Sequence, residues 1–571
     1  MNSTALNILT KYWGFPAFRP MQEQIIDSVM EGNDALALFP TGGGKSICFQ
    51  VPALAREGLC LVISPLIALM KDQVEQLRKK GITAFAITSA MSRREVINTL
   101  KVASSSNCKF LYVSPERLET TLFKEYLLSL AVSLIAVDEA HCISQWGYDF
   151  RPPYLRIAAL REALPDVPVL ALTASATPEV QRDICEKLGF GRPLIFRQSF
   201  ERANLSYSAF EEERKLDKIQ EVLRNVEGSS IVYCRSRWRT REISDELNAR
   251  GIVADFYHGG LRQDIRSLKQ EAWIQNQVRV MVCTNAFGMG IDKPDVRTVI
   301  HADMPDCLEN YYQEAGRAGR DGKKSYAVLL YNSKEIEDLR SLPGIHFPEP
   351  AQIRLVYQGV MNYLQVPAGS GQGQYYDFDI QDFTGKFRFD KRCVVYSLKA
   401  LEQEEILAYS EQVFAPSRIQ FTVSREFLQE FEDQTPLFSP VIDTLLRNYG
   451  GIFNQPVAVF EKSIAYLMRR DLEQVIGELH QLHEHRIIRY APQKDNPQLY
   501  FIQNHIAANN LPFDLRNYAN RKKRYGERIG VLIEYALQKE SCRSRIIAQY
   551  FGDEQSKPCG ICDNCLKKRR L

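Results

Sequence analysis

A glycine run closed by Lys-Ser is a recipe for binding phosphate. Residues 40–46 read PTGGGKS, at the end of an apolar segment, ALALF. Gly42, Gly43 and Gly44 let the backbone turn tightly and aim its N–H groups at phosphate oxygens. Lys45 can neutralise β- and γ-phosphates, and the Ser46 hydroxyl can ligate Mg²⁺. Thr41 completes the loop. The strict form of this loop begins with a glycine where this chain has Phe39, so the match is to a variant. The bland reading, a Gly-rich surface turn, does not explain the apolar strand before it or the Lys-Ser pair.

Nucleoside triphosphate chemistry also needs acids. LIAVDEAH (134–141) runs an apolar strand into Asp138, placed to hold the metal, and Glu139, placed to orient and deprotonate water. His141 closes the string and joins the catalytic set. An isolated Asp-Glu pair is more often a solvated strand end; downstream of a phosphate loop the string is far more specific. Positive charge for the transferring phosphoryl group is offered by QEAGRAGRDG (313–322). Its Arg317 and Arg320 lie three apart on one face of a helix.

Cys542, Cys559, Cys562 and Cys565 form C-x16-C-x2-C-x2-C. Four such thiolates suit a tetrahedral structural Zn²⁺ with no open position for catalysis. The other nine of the thirteen cysteines are scattered singly, which points to a reducing compartment and a cytoplasmic protein rather than a disulfide scaffold.

The elements that must position these groups follow an α/β rhythm. ALALF (35–39), LCLVIS (59–64), KFLYVS (109–114), LIAVD (134–138) and VLALT (169–173) read as buried parallel strands between helices. A charged stretch at about 200–216 reads as a polar linker. The rhythm restarts with SSIVYC (229–234), VADFYH (253–258), VRVMVCT (278–284), TVIHA (298–302) and YAVLLY (326–331). Two α/β halves enclose a cleft, and Arg317 and Arg320 in the second half are placed to reach the phosphate loop in the first. The chain of 571 residues is 45% hydrophobic and 25% charged, which excludes global disorder. No apolar run is long enough to span a bilayer, and the N-terminus lacks the pattern of a signal peptide, so no membrane association is expected. Net charge is only +3, so a nucleic-acid partner must be read from local patches. One such patch is CISQWGYDFRP (142–152), where Trp146, Tyr148 and Phe150 interleave with Arg151. Aromatics beside a cation suit stacking on unpaired bases and contact with phosphate. Arg235, Arg237, Arg239 and Arg241 alternate after a strand and read equally well as a solvated face.

The first 340 or so residues resemble a superfamily 2 helicase core of the RecQ family. The strings that carry the resemblance are FRPMQ (18–22), PTGGGKS, SPLIALMKDQV (64–74), DEAHCISQWGYDFRP (138–152), TASAT (173–177), YCRSR (233–237), YHGGL (257–261), NAFGMGIDKPDVR (285–297) and YYQEAGRAGRDG (311–322). The resemblance implies two RecA-like lobes and ATP-driven 3′–5′ translocation on single-stranded DNA with duplex unwinding. It implies repair and recombination roles, with single-stranded and junction or duplex DNA, and other repair proteins, as partners. It implies that Arg19 and Gln22 recognise adenine with Phe15 stacked on it, and that the loop with Trp146, Tyr148, Phe150 and Arg151 couples DNA contact to hydrolysis. The string SCRSRIIAQYFGDE…PCGICDNCL is similar to the family's zinc module.

Most family members place that module directly after the core. Here roughly 170 residues intervene, and with the last cysteine at 565 of 571 residues no C-terminal accessory domain of the usual type is expected. The intervening stretch carries an internal repeat. Leu398, Leu401, Ile406, Leu407 and Tyr409 recur 81 residues later as Leu479, Leu482, Ile487, Ile488 and Tyr490. Val360, Leu364, Phe383 and Phe387 have the matching partners Val441, Leu445, Ile464 and Met468 at the same offset. Helices followed by a β-hairpin, 406–423 and 487–502, spell two tandem winged-helix-like modules. A wing tip is expected to act as a strand-separating wedge, at Phe414 or at Lys494–Asn496, with packing or protein-interaction modules as the alternative.

The expected architecture is α/β: two RecA-like parallel-sheet lobes followed by two winged-helix-like α+β modules and a C-terminal helical zinc-binding module. The expected boundaries are 1–200, 201–344, 345–425, 426–510 and 511–571. The expected activity is that of an ATP-dependent DNA helicase using ATP, Mg²⁺ and Zn²⁺. A DNA-stimulated ATPase that remodels protein–DNA complexes and a zinc-containing regulator with an ATP switch remain as alternatives.

Overall fold

The computed structural model describes residues 3–40, 42–88, 91, 93–288, 293–410, 417–492 and 497–570. They fall into two compact units: Met1–Pro343 with Arg516–Leu571, and Gly344–Leu515. Among the described residues no helix is long and apolar enough to cross a membrane.

The first unit holds two parallel sheets. The first sheet comprises β1 (Ala35–Leu38), β2 (Leu59–Ile63), β3 (Ala84–Ile87), β4 (Phe110–Val113), β5 (Val132–Val137), β6 (Val169–Thr173) and β7 (Leu194–Arg197), in the order β3-β4-β2-β5-β6-β1-β7. The second comprises β8 (Leu205–Glu211), β9 (Ser229–Tyr233), β10 (Ala254–Tyr257), β11 (Val280–Cys283), β12 (Val296–His301) and β13 (Ser325–Tyr331), in the order β10-β11-β9-β12-β13-β8. Central strands such as β1, β2 and β6 are buried at every position, which is why they read as unbroken apolar runs. In the first sheet β5, β6 and β1 are neighbours, so the loops that follow them converge at one carboxyl edge.

Sequence patterning misses three strands. β3 and β7 are short and lie at the two edges of the first sheet. β8 lies inside the stretch that reads as a linker, and it pairs with β13 along its whole length. Its first residues, Leu205 to Tyr207, are buried, the next three are half-buried and Glu211 is exposed, so the strand lacks an unbroken apolar run, and the charged residues on either side hide it. Burying such side chains contributes about 1.5–3 kcal/mol each.

The C-terminal helices Leu515–Leu537, Arg543–Tyr550 and Asp563–Arg570 surround the four cysteines. They brace the two sheets. Phe551 stacks on Phe200 in the segment between the sheets, with centroids 4.8 Å apart. Tyr550 donates to Glu309 at 2.8 Å, and the Ser206 hydroxyl donates to Ile561 O at 2.7 Å. Gly552, at φ 89°, lets the chain pass Pro178 of the first lobe; a Cβ there would lie 2.8 Å from the Pro178 Cγ.

The second unit contains the repeat. Its strands are β14 (Tyr375–Asp377), β15 (Leu407–Ser410), β16 (Ser417–Phe421), β17 (Val457–Val459), β18 (Ile488–Ala491) and β19 (Gln498–Phe501). The helices Ile380–Phe387 and Lys391–Gln403 recur as Glu461–Met468 and Leu472–Glu484, at the offset of the sequence repeat. The strand pairing departs from the expected hairpins. β15 pairs with β19, not β16; β18 pairs with β16, not β19. Each copy's last strand completes the other copy's sheet, giving β14-β19-β15 and β17-β16-β18. A boundary at 425/426 therefore cuts through a sheet: the second module begins at β16 and lies between two paired strands of the first. Both exchanged strands carry inward apolar residues, Ile419 and Phe421 against Leu499 and Phe501, so patterning fits either sheet. Phe414 and Lys494–Asn496 lie outside the described residues.

Candidate active site

The loop after β1 is built for close approach. Gly42 and Gly44 have φ of 79° and 85°, a left-handed conformation that favours glycine. Gly44 accepts a hydrogen bond from Gln22 Nε2 at 3.0 Å, and Gly42 accepts one from Arg19 Nη1 at 2.8 Å. Gln22 in turn accepts from the Arg19 amide at 2.9 Å. Arg19 and Gln22 are thus tied to the loop backbone, while Phe15, 48% exposed, keeps a free face. Ser46 precedes the helix Ile47–Ala55, whose N-terminal amides add positive potential behind the loop. Thr41 lies outside the described residues.

The loop after β5 brings the acids to the same edge. Glu139 sits at φ 48°, a strained position for a residue with a side chain, and its amide donates to Asp138 Oδ1 at 3.0 Å. Lys45 Nζ lies 3.6 Å from Glu139 Oε1. His141 Nδ1 lies 3.3 Å from Glu139 Oε2 and 2.9 Å from Thr173 Oγ1 at the end of β6. Burial, then the neighbouring Glu139 charge, pushes the Asp138 carboxyl up to about 6. Burial also pushes Glu139 up, but Lys45 and His141 outweigh it and hold this carboxyl below its ordinary value. Burial holds His141 below its ordinary value against the pull of Glu139. A buried carboxyl whose negative charge is this unwelcome suits a cation, so Asp138 fits Mg²⁺.

The second lobe closes the site. The Arg320 side chain runs beside Gly42, where a Cβ would meet Arg320 Cγ at 3.0 Å. Arg317 is buried at 5% exposure beside Gly288 and Tyr233, and its Nε has no hydrogen-bond partner among the described residues. Sequence reading names these residues but places them on a helix; the helix Leu308–Ala315 ends at Gly316, and both arginines lie in the turn that follows. It also misses two residues that join the lobes. Gln313 Nε2 donates to Ser175 Oγ at 2.7 Å, and both are buried. Both lie inside quoted strings, QEAGRAGRDG and TASAT, yet nothing in their type marks a partner.

The aromatic loop follows directly. Tyr148 stacks on His141, centroids 4.8 Å apart and planes 17° apart, and its hydroxyl lies 3.3 Å from Ser175 Oγ. Arg151 pairs with Asp149 at 3.1 Å. Phe150 is half-buried, and Trp146 is partly buried against the core. In the second lobe Arg239 pairs with Asp303 at 2.9 Å, and Arg241 is exposed.

The cysteines gather as expected. Their four sulfurs lie within 4.8 Å of one another, with Cys542 Sγ 3.5 Å from Cys559 Sγ and 4.0 Å from Cys562 Sγ. Tetrahedral Zn–S bonds of about 2.3 Å place sulfurs about 3.8 Å apart, so the set fits Zn²⁺. Backbone amides of Cys559, Cys562 and Cys565 donate to cysteine sulfurs at 3.2–3.4 Å, which suits thiolates.

Comparison with known proteins agrees with this geometry. Residues 19–184 match the DEAD/DEAH box helicase family and 214–322 the helicase conserved C-terminal domain. Residues 419–492 match the RecQ helicase winged-helix domain of Bacteroidota, and 498–566 match the RecQ zinc-binding family. The chain belongs to the RecQ family. It is 46% identical over 335 residues to the ATP-dependent DNA helicase RecQ of Bacillus subtilis, covering 58% of this chain and 57% of that protein. It is 43% identical over 332 residues to the RecQ of Pasteurella multocida, covering 58% and 52%. The chain thus spans somewhat more than half the length of these two relatives. A crystal structure of the DUF1998 helicase MrfA bound to DNA shares the fold, with a TM-score of 0.50 at 18% identity, covering 60% of this chain and 53% of that one. The winged-helix match spans β16 to β18, the second module as the strand pairing defines it.

Proposed function

We propose that this protein is an ATP-dependent DNA helicase that moves 3′ to 5′ on single-stranded DNA and unwinds duplexes in repair and recombination. The observation that carries the reading is the split site: Arg320 of the second lobe lies against the phosphate loop of the first, so hydrolysis and lobe closure depend on each other. RecQ membership and relatives named as DNA helicases support it.

In this reading the Gly42–Ser46 loop cradles the triphosphate, and Arg19 and Gln22 hold the base beside Phe15. Glu139 orients the attacking water and takes its proton, releasing Lys45 to the phosphates. Ser46 and Asp138 would hold Mg²⁺, which would supply positive charge to the phosphate oxygens. Arg317 and Arg320 stabilise charge that builds up on the transferring phosphoryl group. His141 positions Glu139, and Trp146, Tyr148, Phe150 and Arg151 sense the DNA strand. Cys542, Cys559, Cys562 and Cys565 hold Zn²⁺. At least one winged-helix module contacts duplex DNA.

A strand-displacement assay on a 3′-tailed duplex, with ATP and with a non-hydrolysable analogue, tests the reading. Displacement only with ATP and only from the 3′ tail supports it. ATPase stimulated by DNA without displacement would favour a remodelling translocase. ATP binding without turnover would favour a switch.

A further inference from the structure

The face of Trp146 is covered. The Arg524 guanidinium, on the helix Leu515–Leu537, lies over the indole ring at 4.2 Å from its centroid. The same guanidinium pairs with Glu179 of the first lobe. Arg528 Nη1 reaches Trp146 O at 3.4 Å, and Asn517 Nδ2 donates to Gln145 Oε1 at 3.2 Å. Three contacts from one basic helix therefore hold the front half of the aromatic loop, and Arg524 is anchored beside it by Glu179. Its back half is tied to the catalytic carboxylate, through Tyr148 stacked on His141 and His141 beside Glu139. Only Gly147 separates the two halves. Its tight setting, with His141 O 2.9 Å from where a Cβ would lie, leaves little slack.

We propose that Arg524 is a positioning residue that latches the aromatic loop in the DNA-free enzyme, and that single-stranded DNA opens the latch. Trp146 already packs against the core, so a base can stack on it only by displacing the guanidinium. Arg524 is then free for a phosphate. The exchange is easy because the Arg524–Glu179 pair sits at the solvent edge, with side chains 32% and 47% exposed. A strand supplies both replacements at once, a π-face for Trp146 and an anion for Arg524. The released loop moves Tyr148, and with it His141 and Glu139.

The inference rests on the helicase reading, and one experiment separates the two. ATP turnover and tryptophan emission are measured for the full-length zinc-loaded protein, with and without a thymidine oligonucleotide. Arg524→Ala is expected to raise DNA-free turnover about two- to fivefold, the scale of a partly exposed cation–π contact, and to lower the fold-stimulation by DNA. Its DNA-free emission should lie near the DNA-bound wild-type value, a difference that Trp146→Phe abolishes. Arg524→Lys should return turnover toward wild type. Glu179→Gln, which frees the same guanidinium from its carboxylate without touching the zinc module, should move turnover in the same direction and carries the test if Arg524→Ala misfolds. A wild-type protein that DNA does not stimulate would overturn the helicase reading. Stimulated wild type, with Arg524→Ala or Glu179→Gln at wild-type DNA-free turnover and emission, would overturn the latch.

Discussion

Gln313 of the second lobe donates a hydrogen bond to Ser175 of the first at 2.7 Å, and Ser175 also touches the Tyr148 hydroxyl at 3.3 Å. This buried contact links the helix Leu308–Ala315, whose following turn carries Arg317 and Arg320, to the network around Glu139. Gln313→Ala leaves the phosphate loop intact but unties the lobes. A net hydrogen bond of about 0.5–1.5 kcal/mol corresponds to roughly a two- to tenfold change. The expected outcome is a fall of that size in kcat with ATP affinity preserved. A double-mutant cycle with Ser175→Ala checks it: the two losses should not add.

Glu139→Gln keeps the shape of the site but removes the base, and Lys45→Ala removes the cation 3.6 Å from it. Loss of a positioned general base costs about 10²–10⁴-fold in rate. Turnover should collapse in both variants while DNA affinity, measured by fluorescence anisotropy, stays near wild type. Near-normal DNA-stimulated turnover in Glu139→Gln would mean that another group is the base.

Arg317 and Arg320 belong to the second lobe, so their charge reaches the phosphates when the lobes close. Arg317→Ala and Arg320→Ala should each retain ATP binding and lose hydrolysis, because the stabilisation matters most in the transition state. Equilibrium ATP binding beside single-turnover rates makes the distinction. Weak binding with intact turnover would make them ground-state ligands.

The active site was legible where chemistry demands particular residue types at fixed spacing. The structure brings Lys45, Asp138 and Glu139 to one edge and gathers the four cysteines, groupings that residue type and spacing alone had singled out. Gln313 and Ser175 were not legible, since an amide and a hydroxyl become partners only once two lobes meet. β8 hid because this edge strand is only half-buried beyond Tyr207, and the charged positions of 200–216 masked Leu205 and Tyr207. The repeat was legible to the residue, as the matching helices Lys391–Gln403 and Leu472–Glu484 show. Its strand exchange was not, because Phe421 and Phe501 satisfy either sheet equally.

Zinc should be present at one ion per chain. Cys562 is fully buried among the other three sulfurs, and Cys562→Ser removes one of four ligands. Structural zinc contributes apparent binding energies of about 10–16 kcal/mol in small modules, so the local fold should fail. Its failure should also release the Phe551–Phe200 stack and the Tyr550–Glu309 bond that brace the two sheets. The expected outcome is loss of zinc by elemental analysis together with a lower melting temperature for the first unit. Full zinc content in Cys562→Ser would reject the ligand set.

The exchanged strands make the second module removable. β15 and β19 are antiparallel partners in register, with Ser410 opposite Gln498. Residues 411–497 therefore depart from and return to neighbouring points on one sheet, and a two-residue Asn-Gly turn can replace them. The shortened protein should keep β14-β19-β15 and the apolar core beneath it, Phe383, Leu398, Leu401 and Leu407. The removed piece should fold alone from 417 to 492, because Ile419 and Phe421 of β16 pack with Val459, Leu479, Leu482 and Ile488 in one closed cluster. Circular dichroism and cooperative thermal unfolding of both products check this. A fragment cut at 345–425 provides the contrast: it carries β16 without the sheet that β16 completes and lacks β19, so it should not fold. A stable 345–425 fragment, or a 417–492 fragment that stays unfolded, would show that the strands return to their own copies.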